Sequence, residues 1–261
     1  MKYWLVLWWW SARWIASIWT YKAILEKGIE INEIAWTSMW WIIGASIALW
    51  HSPEYMEKFL SNIKFLSLID IDLKTWLIKW DKIYNLLKDL YEDKSFSDTK
   101  IKLKIVATNL EKWEKYIFKE GKIADAVRAS ISNPIIFSPF NKEWKLLADG
   151  FLVENLPIEE IESKNTIAVS VVKEASKKMN FKNNFFGFEI NKTFFWKNYQ
   201  IIQKSLDIMI NENEKKSLES KDNIVLIKPD LEDIEYYNFN KYETIIKEWY
   251  EKWRQVLKNI S

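Results

Sequence analysis

Short apolar runs alternate with amphipathic stretches along most of the chain. YWLVL (3–7) is an apolar run of strand length, and residues 15–27 then repeat with helical period up to Gly28, a residue suited to closing a helix. INEIAW (31–36) predicts a second strand, and MWWIIGASIAL (39–49) a helix that begins directly after Ser38. Pro53 opens a further helix, predicted to run to about residue 66. DKIYNLLKDLYED (81–93) is amphipathic. IKLKIVATNL (101–110) and WEKYIF (113–118) predict two strands joined by a turn, followed by a helix over 123–132 that ends before Pro134. KLLAD (145–149), TIAVSVV (166–172) and NIVLIKP (223–229) predict strands, and residues 197–212 and 241–258 predict helices. Residues 174–195 are polar and aromatic without a clear period and predict an excursion from the core.

Alternation of strands with helices argues for an α/β protein, a three-layer α/β/α arrangement with a mainly parallel central sheet. The 261 residues suit one domain. Its core is expected over 3–175, and a C-terminal strand and helices over 195–261.

Composition narrows the function classes. Basic residues number 38 and acidic ones 36, a balance that creates no field suited to nucleic acid. The absence of cysteine excludes disulfides, thiolate metal sites and a cysteine nucleophile, and fits a reducing, cytoplasmic setting. The apolar N-terminus carries Arg13 and lacks a small-residue cleavage site, so it is taken as a strand and helix rather than a targeting segment. No apolar run reaches the roughly 18 residues of a membrane span.

Glycine and tryptophan are out of proportion. The chain has 5 Gly and 17 Trp, whereas average usage of about 7% predicts roughly 18 Gly in this length. The tryptophans stand where turns are wanted. Trp8, Trp9 and Trp10 follow a strand and precede a helix, Trp36 and Trp40 flank Ser38, Trp50 ends a helix, and Trp113 and Trp144 fall in apparent hairpin turns. Such places call for positive φ or close backbone approach, which is the role of glycine. A consistent explanation is a gene that uses UGA, a codon some bacteria read as glycine and others as tryptophan. With glycine restored, WWWSARW (8–14) becomes GGGSARG and WTSMW (36–40) becomes GTSMG.

So restored, the chain resembles the patatin-like phospholipase family in its compact bacterial form. Four blocks carry the likeness in the family's order: WLVLWWWSARW as its glycine-rich loop, WTSMW as its G-x-S-x-G, VRASISNP after a central helix, and LLADG as its Asp-Gly element. The likeness covers residues 3–160 and fades afterwards. Phe151 follows the Asp-Gly pair, where the family usually has Gly or Ala.

The resemblance implies a serine lipid acyl hydrolase without metal or cofactor. Ser38 would be the nucleophile, lifted from the sheet on a sharp strand-to-helix turn; by itself it could equally be a helix N-cap. The family likeness assigns the base to Asp149, followed by Gly150; the alternative is an ordinary turn aspartate. His51, the one histidine, lies just before Ser52-Pro53 and resembles nothing catalytic. By resemblance, residues 8–10, read as glycine, form the oxyanion hole. Arg13 would support that loop or meet a phosphate or carboxylate, with a surface ion pair as the competing account. The expected partners are a lipid or acyl-ester substrate and a transient, peripheral membrane surface. NPIIFSPF (133–140) is either a membrane-facing lip or a buried loop. Two other classes compete: a nucleotide-binding protein, for which the first loop has the wrong spacing, and a non-catalytic Trp-rich module for membranes or carbohydrate.

Overall fold

The computed structural model describes residues 2–8, 16–38, 41–62, 70–71, 78–79, 81–134, 137–163, 165–170, 172, 184–185, 188–189, 194–228, 250 and 254. In chain order these form β1 (Lys2–Trp8), α1 (Ala16–Glu26), β2 (Glu30–Thr37), α2 (Trp41–Ala48), α3 (Pro53–Ser61), β3 (Asp70–Ile71), β4 (Ile78–Lys79), α4 (Asp81–Leu90), β5 (Lys102–Asn109), β6 (Glu114–Phe118) and α5 (Ile123–Ser130). They continue as β7 (Phe140–Lys142), β8 (Lys145–Asp149), β9 (Thr166–Ser170), β10 (Asn184–Phe185), β11 (Phe188–Glu189), α6 (Phe194–Glu219) and β12 (Ile224–Ile227). The helix expected over 241–258 lies outside the described residues apart from Tyr250 and Arg254.

The main sheet runs β12-β9-β1-β2-β5 with every neighbouring pair parallel, and β6, β7 and β8 extend it antiparallel. The expected parallel sheet therefore holds as far as β5. Helices cover both sides, the three-layer arrangement that the alternating pattern predicts. β5 shows why it is central: after Lys102 every residue through Asn109 is buried, as expected of a strand covered on both faces. α5 packs on β5 and β8, α2 on β2, and α1 against α2 and α3.

The register of β5 brings the ends of β2 and β8 together. β6 pairs with residues 105–109 of β5, a range that overlaps the stretches paired with β2 and with β8. A strand has two edges, so β2 and β8 must share the edge opposite β6. β2 occupies it up to Thr37, opposite Val106; β8 occupies the remainder from Asp149, opposite Ala107. The two strands run head-on and meet at their carboxyl ends. That is where the carboxyl edge of the parallel strands opens, the usual place for a ligand in such sheets.

Charged side chains buried at the other end of β2 and β5 find partners. Glu33 and Lys104 pair at 2.8 Å, and Glu33 also accepts from the Glu162 backbone N–H at 2.9 Å. Three expectations shorten or lengthen. The helix from Pro53 stops at Ser61, the one expected over 39–49 ends at Ala48, with residues 39–40 outside the described residues, and the helix expected over 197–212 runs from Phe194 to Glu219.

Candidate active site

Ser38 follows the last residue of β2 and precedes α2, with φ at 65°. This left-handed backbone lets the chain reverse sharply and raises the side chain off the sheet. The hydroxyl of Ser130, at the end of α5, holds that backbone in place. It accepts from the Ser38 backbone N–H at 2.9 Å and donates to the Val106 carbonyl at 2.6 Å. Thr37 adds a second anchor by donating to the Glu154 carbonyl at 3.0 Å.

Asp149 ends β8 directly across the junction. Ser38 Oγ donates to Asp149 Oδ2 at 2.7 Å, and both side chains are buried. The other carboxylate oxygen accepts from the Phe151 backbone N–H at 3.2 Å, which fixes the rotamer. The Asp149 main chain is tied on both sides: its N–H donates to the Ser132 carbonyl at 3.0 Å, and its carbonyl accepts from Thr108 Oγ1 at 2.8 Å. Burial pushes the Asp149 carboxyl up to about 8, against the opposing effect of the bonds from Ser38 and Phe151. A carboxylate so desolvated is a stronger base than an exposed one.

Gly150 is required by packing. A Cβ there would press into the Val106 carbonyl and lie 2.8 Å from Thr37 Cγ2. The junction of β2 and β8 on β5 is thus too tight for any side chain after the aspartate. Phe151 is compatible with it. The position supplies its backbone N–H to the carboxylate, while the ring is buried in the core.

The segment after α5 is braced by Arg128. This buried guanidinium donates to Ser132 Oγ and, at 3.1 Å, to the Ser138 carbonyl, and it stacks over the Phe140 ring at 5.3 Å. Phe137 is buried and Phe140 half-buried, so the described part of NPIIFSPF turns its aromatic residues inward.

The sequence-predicted residues divide into those the structure brings together and those it does not describe. Ser38, Asp149, Gly150 and Trp36 converge at the junction, with Trp36 buried one residue before Thr37. Trp8 ends β1 in register with Thr37, the residue before Ser38. Trp9, Trp10, Arg13 and Trp40 lie outside the described residues. His51 is at the far end of α2, where Ala48 accepts from Lys100 just before β5 begins. It is separated from Ser38 by the length of that helix. Among the described residues no group of acidic, histidine or cysteine side chains could hold a metal ion. Nor is any of their helices long and apolar enough to cross a membrane. Ser130 and Ser132 escaped the sequence reading as individual residues. Their only signal was membership of the VRASISNP block.

Ser38, which follows β2, is thus hydrogen-bonded to a buried carboxylate at the carboxyl edge of the parallel strands. Residues 11–161, more than half of the chain, match the family described as patatin-like phospholipase, and the chain belongs to that family. An uncharacterized NTE family protein of Mycobacterium tuberculosis is 31% identical over 167 residues, 62% of this chain and 46% of that protein. The lysophospholipase NTE1 of Saccharomyces cerevisiae is 24% identical over 267 residues, 90% of this chain and 15% of the yeast protein. The chain thus spans less than half the length of either relative. VipD from Legionella pneumophila shares the fold with a TM-score of 0.63 and 12% identity, over 98% of this chain and 66% of that one.

Proposed function

We propose that the protein is a serine hydrolase of lipid acyl esters, working through Ser38 and Asp149. The observation that carries this reading is the 2.7 Å hydrogen bond from Ser38 Oγ to a fully buried carboxylate. The ionised Asp149 takes the Ser38 proton as Oγ bonds to the ester carbonyl carbon, and the carbonyl π pair moves onto oxygen. The tetrahedral intermediate collapses, the C–O bond to the alcohol breaks, and Asp149 returns the proton to the leaving oxygen. Water then attacks the acyl-serine while Asp149 accepts its proton. The fatty acid departs, and Ser38 recovers its hydrogen.

The oxyanion needs preorganised donors, each worth roughly 2.7–4 kcal/mol. The loop from Trp8 is assigned that task because β1 ends beside Thr37. Glycine at 8–10 would let its backbone N–H groups face the oxyanion. α2 follows Ser38 in the chain, and the N-terminal end of a helix favours negative charge. The substrate is a phospholipid, lysophospholipid or neutral acyl ester, met at a membrane surface on which the protein docks transiently. The family membership and the yeast lysophospholipase relative support this class.

The test is hydrolysis of p-nitrophenyl esters of graded chain length and of lysophosphatidylcholine, using protein with glycine at 8–10, 36 and 40. Turnover that rises with acyl length and vanishes in Ser38→Ala supports the reading. Turnover retained in Ser38→Ala contradicts it.

A further inference from the structure

Backbone conformation sorts the tryptophans independently of any family likeness. Eight described non-glycine residues have positive φ, and three of them are Trp50, Trp113 and Trp144, at 62°, 59° and 66°. No described Phe, Tyr or β-branched residue does so. The left-handed region crowds a Cβ against the following carbonyl and is avoided by bulky side chains.

Each of the three occupies a turn whose geometry calls for glycine. After α2, the Trp50 N–H donates to the Ile47 carbonyl and the His51 N–H to the Ser46 carbonyl, both at 2.9 Å. The same paired closure ends α1, where the Gly28 N–H donates to Leu25 at 2.9 Å and the Ile29 N–H to Ile24 at 3.2 Å, with φ of 66° at Gly28. This helix ending favours glycine at its left-handed position. α4 closes in the same way with Glu92 at the left-handed position, φ 50°, so among these three endings only α2 places a bulky aromatic residue there. Between β7 and β8, Glu143 and Trp144 form a two-residue hairpin turn with φ of 50° and 66°. Positive φ at both central residues is the turn that favours glycine second. Trp113 closes the β5–β6 turn, its N–H donating to the Asn109 carbonyl at 2.9 Å.

None of the three indoles finds a place to bury itself. Trp50, Trp113 and Trp144 are 69%, 87% and 92% exposed, on three separate turns. Trp36 is the opposite case and leads to the same conclusion. It is completely buried, and its indole N–H has no hydrogen-bond partner, although a buried indole ordinarily has one. Its ring lies against α2 at Gly44, the one place where that helix has no side chain. A Cβ on Gly44 would lie 2.6 Å from Trp36 Cδ1.

We infer that positions 36, 50, 113 and 144 are glycine in the polypeptide its source organism makes, their codons being UGA read as glycine. The inference does not depend on the hydrolase reading. Peptide sequencing by mass spectrometry of the protein isolated from that organism is the test, because it is blind to folding and activity. Glycine at all four positions is expected; tryptophan at any of them overturns the inference. In recombinant chain as written here, Trp50→Gly, Trp113→Gly and Trp144→Gly should each raise Tm by roughly 2–4 °C. Alanine at the same sites should raise it less, because alanine keeps the Cβ. An alanine series that matches the glycine series overturns the inference as well.

Discussion

Ser38 and Asp149 are 111 positions apart, yet Oγ and Oδ2 meet at 2.7 Å because β2 and β8 end head-on along one edge of β5. No loop has to reach over the sheet to complete the pair. β2 ends at Thr37 opposite Val106, and β8 ends at Asp149 itself opposite Ala107, so Ser38 needs to lie only one residue beyond its strand to reach the carboxylate. A site built this way is as rigid as the sheet beneath it, which is what preorganised catalysis requires.

The pH dependence follows from the burial of Asp149. The carboxyl is raised to about 8, and only its ionised form can accept the serine proton. kcat/KM should therefore rise with pH, bend near 8 and level off above it, rather than show the lower inflection of an exposed carboxylate near ~4. Stability moves in the opposite direction. Between about 4, where the unfolded carboxyl titrates, and about 8, the folded protein holds a proton that the unfolded chain has released. Stability is thus greatest below this window, falls as pH rises through it, and the loss is complete above it. Asp149→Asn should have a higher Tm than its parent at pH 8–9, a gap that closes toward pH 4; thermal melts across this range check it.

Ser130 is a positioning residue. It holds the Ser38 N–H and the Val106 carbonyl together. Ser130→Ala leaves both groups buried and without this partner. The expected result is a fall in kcat of roughly 10- to 100-fold, in line with a loosened catalytic geometry, with little change in KM. Steady-state kinetics normalised to the folded fraction measured by thermal melts separate this from general destabilisation, which would lower the rate only in proportion to that fraction.

Gly150→Ala tests the tightness of the junction. The added methyl meets the Val106 carbonyl and Thr37 Cγ2, so the strands must part or the aspartate must turn. Overpacking of this kind costs about 1–3 kcal/mol. Activity should fall by more than the stability loss accounts for, since the displaced residue follows the base. Denaturant melts and esterase rates on the same preparations give both quantities.

The strand–Ser38–helix unit was legible because its period changes from two residues to 3.6 across a single serine. The Asp149 strand was legible too, as KLLAD before glycine. What periodicity could not show was the direction and edge of β8. Its apolar run gives no sign that it pairs antiparallel on the same edge of β5 as β2. The hairpin turns at 113 and 144 were legible only as a conflict, because tryptophan stands where a turn residue is expected. Phe151 looked like a departure from the expected pattern. It fits because the position acts through its backbone N–H, which every residue except proline has. Ser130 was invisible as an individual residue, since a helix-terminal serine has many ordinary uses.

The central claim is that Asp149 makes Ser38 a nucleophile. The most direct measurement is covalent labelling by a fluorophosphonate at pH 8, with the adduct mapped by peptide mass spectrometry in the glycine-bearing chain and its Asp149→Asn variant. The account predicts a single adduct on Ser38 and a labelling rate at least about 10³-fold lower in the variant. Labelling elsewhere, or an Asp149→Asn protein that reacts as fast as its parent, would contradict it.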